Sequence, residues 1–503
     1  MKDKIIFWLD ANLLYFGIAK TLQEKYDCDL FAVIDITDRP KKFFETQQLV
    51  RFQKIWYYHD NILKTKSNPD TEYLSSFEKK YGINIWLLAY NERLFYNYNR
   101  YYRFTTDEIL CILEQECRLF ESVIDEVKPD FLIMRTTDLH HNHLFYEICK
   151  AKGIRILMLG PTRFGYRCMI SQEIDKIDNT KTLDEQSNIE RSFEQLQNYL
   201  NGFNSYKQVS EYTKKFQSSR PDLLKALFQH FVVSKNTNEK THYTYYGRTK
   251  IRVLIKELIY LIKKKYREFF INNNFTREIR PTKPFIYFPL HIEQERVLLI
   301  GAPFYTNQFE VIIHIVKSLP VGYELYVKEH PDMVTRGWRS VSEYKKIMNL
   351  PNVLLIHPSV KPDEIMKSCS LVISIGGTSG LEAAFYGKQS IIFVDMGYSM
   401  ISSVYKLKTI EELPYAIRSS LQKKVDYSEL NRYVNLINQN SFEIDWWNLV
   451  LELQNRLYYG GYLADVDISV TELKSFLDDH KSEFDQLALE HIKKIKQYKE
   501  YRS

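Results

Sequence analysis

No apolar run of roughly 18 residues occurs in the 503-residue chain, so no helix is expected to span a bilayer. Cysteine is scarce and carries no pattern. Cys28, Cys111, Cys117, Cys149, Cys168 and Cys369 are scattered with no C-x-x-C spacing. That excludes a disulfide framework and a zinc ribbon and fits reduced core thiols of a cytosolic protein. No repeat of solenoid period is present, and no nucleic-acid-binding motif accompanies the charge, so nucleic acid is not an expected partner. The opening MKDKIIFWLDANLLYFG has no small-residue cleavage site, and Asp10 and Asn12 interrupt its apolar segment. It reads as a first β-strand, not a signal peptide.

What is present is a globular composition: 45% hydrophobic and 26% charged residues. The length exceeds one ordinary core and predicts two domains or more. Net charge is only +6, but it is unevenly spread. Lys263, Lys264 and Lys265 with Arg267, and Lys493, Lys494, Lys496, Lys499 and Arg502, form two basic clusters interleaved with apolar residues. Each reads either as a solvated helix face or as a contact for an anionic membrane surface or a polyanionic glycan.

Short apolar strands alternate with helical segments in two separate stretches, which predicts parallel sheets covered on both faces. In the first, strands are expected over 4–9, 30–35, 54–58, 130–134 and 154–159, the last ending before the Gly160-Pro161 break. Between 180 and 280 the alternation lapses into polar, Lys-rich helix. It resumes after Arg280-Pro281-Thr282-Lys283-Pro284, with strands over 285–289, 297–300, 324–328, 353–356, 371–375 and 390–394. The expected organisation is an α/β chain of two Rossmann-like domains facing a cleft. Its parts are a first domain over 1–179, a helical insertion or connector over 180–283, a second domain over 284–440, and helices over 441–503 that pack back on the first domain.

In open parallel sheets ligands bind beyond the C-terminal strand ends. Three features fall there. Lys328-Glu329-His330-Pro331 ends one strand, with Lys328 and His330 able to donate to phosphate oxygens. His357-Pro358 ends another and is more simply a strand terminator. Gly376-Gly377-Thr378-Ser379-Gly380 follows LVISI and opens a helix expected over 380–386. Its glycines (Gly377 and Gly380 among them) allow close approach, and Thr378 and Ser379 serve as N-caps or phosphate donors. No G-K-S or G-K-T triplet follows, so this is not a Walker loop. Glu382 complements the helix dipole or accepts from ribose hydroxyls. His291, Gln294 and Glu295 border the domain boundary as base or sugar contacts. On the other side of the chain, Asp138 after DFLIM, His141 within His140-His141-Asn142-His143, and Asp10 after the first strand are the candidates for proton transfer or nucleophilic attack. The alternative for Asp138 is plain N-capping. No carboxylate pairing supports a metal at the histidine run, and no metal or other cofactor is expected.

The motifs PLHIEQE (Pro289–Glu295), VKEHP (Val327–Pro331) and GGTSGLEAAFYGK (Gly376–Lys388) lie in a stretch, from Phe285 to about Ala416, that resembles bacterial capsule and surface polysaccharide glycosyltransferases of the GT-B class. These include the capsule β-Kdo transferases, which share an HP motif and a Ser/Thr motif with bacterial sialyltransferases. The resemblance implies that His330, Thr378 and Ser379 hold the phosphate of a CMP- or other nucleotide-activated sugar, with Lys328 assisting and Glu382 facing the ribose. The expected acceptor is a glycan or lipid-linked glycan, and with the scattered cysteines and basic clusters the expected place of work is the cytoplasm at the inner face of the membrane. The alternatives are a polyol-phosphate transferase, a sugar-nucleotide epimerase, or a non-catalytic scaffold of polysaccharide assembly.

Overall fold

The computed structural model describes residues 2–500 except 66, 97, 163, 175, 179–188, 203–219, 235–236 and 334–338. The first sheet begins with β1 (Asp3–Asp10), β2 (Cys28–Asp35), β3 (Lys54–Tyr57), β4 (Phe131–Arg135) and β5 (Arg155–Pro161). Their spatial order is β5-β4-β1-β2-β3, all parallel. The helices α1 (Leu14–Lys25), α2 (Thr106–Val127) and α3 (His140–Ala151) lie on its faces. Strand β1 is apolar almost throughout because alternate residues feed two cores. Ile5, Phe7 and Leu9 pack with Leu14 and Ile18 of α1, whereas Ile6 and Trp8 pack with Phe120 of α2 and Phe145 of α3.

Two sequence expectations are corrected here. Gly160-Pro161 does not close the unit: β5 runs through Pro161 and turns into an antiparallel partner, β6 (Arg167–Ser171), with Pro161 opposite Cys168. Proline is tolerated because it sits at the strand end. The chain then divides between two compact units, Met1–Asp178, Phe203–Val253 and Ser441–Ser503 forming one, and Asn179–Gly202 and Leu254–Asn440 the other. The stretch 180–283 is therefore shared between them, and the long helix α4 (Lys250–Asn274) runs from one to the other.

The second unit holds β7 (Phe285–Pro289), β8 (Glu324–Lys328), β9 (Val353–Ile356), β10 (Leu371–Ser374), β11 (Ser390–Ile392) and β12 (Val404–Lys406). The order is β12-β11-β10-β7-β8-β9, all parallel. That is the doubly wound Rossmann order, and the order reverses between β7 and β10. Residues 297–300, expected as a strand, instead belong to a short helical turn, Arg296–Leu299. Four apolar residues alone do not distinguish the two states. After β10 comes α5 (Thr378–Phe385), which starts two residues earlier than the sequence indicated.

The last segment returns to the first unit. β13 (Phe442–Glu443) pairs antiparallel with β6. α6 (Trp446–Leu457), capped by the Asp445 carboxylate on Asn448 N–H, is followed by α7 (Val470–Asp479) and α8 (Lys481–Glu500). Leu449, Leu453, Phe476, Phe484 and Leu487 belong to the same core as β1 and α1. None of the described helices is long and apolar enough to cross a membrane.

Candidate functional site

In the second unit, the strand order reverses at β7 and β10, where a parallel sheet opens a crevice at its C-terminal edge. His291 follows β7 and Ser374 ends β10, and their side chains meet there, with His291 Nε2 3.3 Å from Ser374 Oγ. Ser374 Oγ in turn accepts the Gly377 N–H at 3.0 Å. The imidazole lies so close to Gly377 that a Cβ there would fall 2.6 Å from His291 Cε1. Glycine is thus required for packing at this turn. Gly380 is held the same way under Tyr398, whose hydroxyl donates to the Gly377 carbonyl at 2.5 Å.

The KEHP strand end is tied to the same place by a residue the sequence reading missed. Arg339 is buried and donates to Glu329 Oε2 at 3.0 Å, to the His291 carbonyl at 2.6 Å, and to Glu293. Glu329, fully buried, also accepts from Tyr344 OH at 2.6 Å and from His330 N–H at 2.8 Å. One hydrogen-bonded network therefore joins all three motifs. No periodic or turn signal marks Arg339, although the glutamate inside KEHP, a carboxylate between a strand and a proline, called for a cation.

His330 itself is part exposed, and its Nδ1 accepts the Asp332 N–H at 3.2 Å. In the neutral ring the proton therefore sits on Nε2, the atom that can donate to an anion. Lys328 departs from expectation: it is buried rather than open to the strand edge, with Nζ 3.4 Å from the Glu329 carbonyl. Burial lowers its pKa to about 8, with the Glu329 charge acting against that shift. Thr378 and Ser379 are not N-caps. Gly377 takes that position, so they occupy the first two helical positions. Glu382 stands fifth, outside the first turn, so it does not serve the dipole. Gln294 and Glu295 lie half-buried just ahead of the Arg296–Leu299 turn, with Glu295 as its N-cap residue. His357 is a satisfied structural histidine, bonded to Ser359 Oγ at 2.6 Å and Asn272 Oδ1 at 3.0 Å.

The first unit carries a cavity of about 700 Å3 at the C-terminal ends of β1, β2, β4 and β5. Its sheet also reverses order between β1 and β4, and Asp10 and Arg135, at those two ends, both line the cavity. Arg135 Nη1 holds Asp10 Oδ2 at 2.9 Å and Nη2 holds Asp138 Oδ2 at 3.0 Å. Asp10 also accepts the Asn12 N–H at 2.7 Å. Its pKa is raised because burial outweighs the pull of Arg135. Asp138 is not an N-cap. Leu139 occupies that position, and the Asn142 amide bonds both to the Asp138 carboxylate and to the Asp138 and Leu139 N–H groups.

His141 lines the cavity too, but both ring nitrogens are engaged. Nε2 lies 2.8 Å from Asp35 Oδ2, and Nδ1 lies 3.4 Å from Tyr243 OH. Asp35 also meets His59 Nε2 at 3.1 Å. Burial alone would raise the Asp35 pKa, but the two imidazoles hold it well below the carboxylate range. Neighbouring His140 lies between Glu92 at 2.8 Å and Glu116 at 2.9 Å, fully enclosed. Burial opposes its charge, yet Glu116 and then Glu92 raise its pKa to about 10. The sequence reading found no carboxylate partner for the histidine run because both glutamates come from distant helical segments. Glu116, His140 and His141 bring donor atoms within 4.8 Å of one another.

Two Rossmann-like domains, each with its strand order reversing at a polar cluster, define a protein of GT-B type. By sequence, residues 186–403 match the family model of capsule polysaccharide biosynthesis proteins. No curated protein matches the chain. Similar solved structures include the UDP-GlcNAc 2-epimerase of Methanocaldococcus jannaschii, at 14% identity over 87% of this chain and 99% of that one, TM-score 0.24. The β-Kdo 2,7 transferase KpsC of Thermosulfurimonas dismutans is 11% identical over 67% of this chain and 89% of its own, TM-score 0.30. The calicheamicin glycosyltransferase CalG4 is 10% identical over 91% and 99%, TM-score 0.26. At such TM-scores these likenesses carry no argument about activity.

Proposed function

We propose that this protein is a glycosyltransferase that moves a sugar from a nucleotide-activated donor onto a capsular, surface or lipid-linked glycan in the cytoplasm. The observation that carries this reading is the network at the second sheet's reversal point. There His291 meets Ser374, which accepts the Gly377 N–H at the start of α5, and Arg339 ties the His291 carbonyl to Glu329 of KEHP. Backbone N–H groups at the start of α5, the hydroxyls of Thr378 and Ser379, and His330 Nε2 together form a donor set suited to phosphate oxygens. No metal is invoked.

In the first unit the cavity is large enough for one or two sugar rings, and its walls combine Trp446, Trp447 and Tyr245 with Asp10 and Arg135. Aromatic faces beside carboxylates suit a glycan acceptor. An epimerase acting on a free sugar nucleotide would need no such pocket. Of the three candidates for proton transfer, Asp10 fits best. Arg135 holds Asp10 and Asp138 alike, but burial raises the Asp10 pKa, the direction a base needs, whereas Asp138 is further engaged by Asn142 and both nitrogens of His141 are occupied. In the transfer, the bond from the sugar's anomeric carbon to the nucleotide phosphate oxygen breaks, and that oxygen keeps the electron pair. The acceptor oxygen bonds to the anomeric carbon, and its proton passes to Asp10.

The test is thermal shift with CMP, CDP, UDP, GDP and TDP on the wild type, His330→Ala and Asp10→Asn. One nucleotide is expected to raise the melting point of the wild type and of Asp10→Asn but not of His330→Ala. With the matching sugar donor, Asp10→Asn should lose on the order of 100- to 10,000-fold in turnover. If no nucleotide stabilises the wild type at millimolar concentration, the reading fails and a scaffold role replaces it.

A further inference from the structure

We infer that the outward face of α4 is a docking surface for an anionic lipid bilayer. The helix meets the protein along one side only: Ile271 is buried, and Val253 and Tyr260, on the same side, are half-buried. Turned through half a revolution, Ile251, Ile255, Leu258, Ile262 and Phe269 follow one another at helical spacing. They form an apolar stripe pointing away from the fold. Ile251 is 73% exposed, Ile262 72% and Phe269 68%. A surface helix of a globular protein normally turns that stripe inward. A stripe turned outward from Ile251 to Phe269 of a 25-residue helix exceeds the scatter of single exposed apolar side chains.

Charge decides between the two occupants an apolar stripe could take. The helix KIRVLIKELIYLIKKKYREFFINNN carries seven Lys or Arg against two Glu, a surplus of +5 in a chain whose total is +6. A second copy docking face to face would bring two such surpluses together. An anionic bilayer instead complements them, taking the apolar stripe into the headgroup boundary while the lysines reach the phosphates. Among the described residues none of Lys263, Lys264 and Lys265 forms an ion pair, so their charge is not already spent. The C-terminal cluster differs. Lys494 pairs with Asp178 at 3.0 Å and Lys499 with Asp3 at 2.9 Å, so it serves the packing of α8, and Arg502 lies outside the described residues. The helix cannot cross a membrane, so the contact is one of lying on the surface.

This inference stands apart from the sugar-transfer reading and is tested without it. The full chain is sedimented with vesicles of phosphatidylcholine alone and with vesicles that also contain phosphatidylglycerol. Two variants accompany it, Leu258→Ser with Ile262→Ser, and Lys263→Gln with Lys264→Gln and Lys265→Gln. Leu258, Ile262, Lys263 and Lys265 are exposed and Lys264 is half-buried, and circular dichroism checks that both variants fold. Wild type is expected to bind the anionic vesicles and not the neutral ones. The triple variant should lose on the order of 100-fold in partitioning, and the apolar variant at least about tenfold. Wild type staying in the supernatant with anionic vesicles, or both variants binding as wild type does, overturns the inference. So does a concentration-dependent dimer that the apolar variant abolishes, which would assign the face to a second copy.

Discussion

Lys328 carries the clearest conflict between stability and use. Below a pH of about 8 the fold holds a buried ammonium. Its lowered pKa means that this cost is present below 8 and fades as pH rises toward the ordinary value of 10.5. An arriving phosphate favours the charged form and would offset that cost on binding. Nucleotide affinity is therefore expected to be level below pH 8 and to fall as the pH rises through that value, by roughly 10- to 100-fold for one charge-assisted contact. Lys328→Met should melt higher than wild type near neutrality yet bind nucleotide weakly and without that pH dependence. Titration calorimetry across this range decides, and equal profiles for the two proteins would remove Lys328 from the site. The sequence showed Lys328 and His330 because a strand end followed by proline marks them. It did not show Arg339, Asp35 or Glu92, whose roles depend on partners tens of residues away. Distance in the chain hides a hydrogen bond that the fold makes short.

At the scale of elements, α8 packs on α1 with no room to spare at Gly17. Gly17 lies directly beneath Phe484 and Leu477, so that even a Cβ would collide with both side chains. Its φ is ordinary, and glycine is needed there for room alone. Gly17→Val is therefore expected to force the two helices apart and cost about 1–3 kcal/mol, as overpacking of a dense core does. Urea denaturation measures it, and a change below the error of that method would mean that α8 adjusts without strain. Elements of this kind divide by legibility. Most of the parallel strands were plain because both faces are covered and their centres run apolar, but the three-residue edge strand β12 was missed, being too short to read. Nor was the pair β6 and β13 plain, since a two-residue antiparallel strand has no periodicity to read. The turn at Arg296–Leu299 shows the same ambiguity from the other side, an apolar run too short to separate helix from strand. The α5 start shifted because Gly377, bonded through its N–H to Ser374, caps the helix in place of a hydroxyl.

Over the whole molecule, the chain begins and ends in one unit and builds the other in between. Side chains of α6, α7 and α8 complete the core that β1 and α1 begin, whereas β7 through β12 enclose cores of their own. Two units with separate cores need not melt together, and a ligand stabilises the unit that binds it. Leu487 is fully buried in the first core. Truncating it to alanine should cost about 2–5 kcal/mol there and lower one calorimetric transition. The nucleotide found by thermal shift should raise the other, because every residue assigned to its phosphate lies in the second unit. Combining the two separates the assignments: with Leu487→Ala, nucleotide should widen the gap between transitions. If instead the nucleotide restores the transition that Leu487→Ala lowers, the phosphate site belongs to the first unit, with Arg135 as its cation in place of His330.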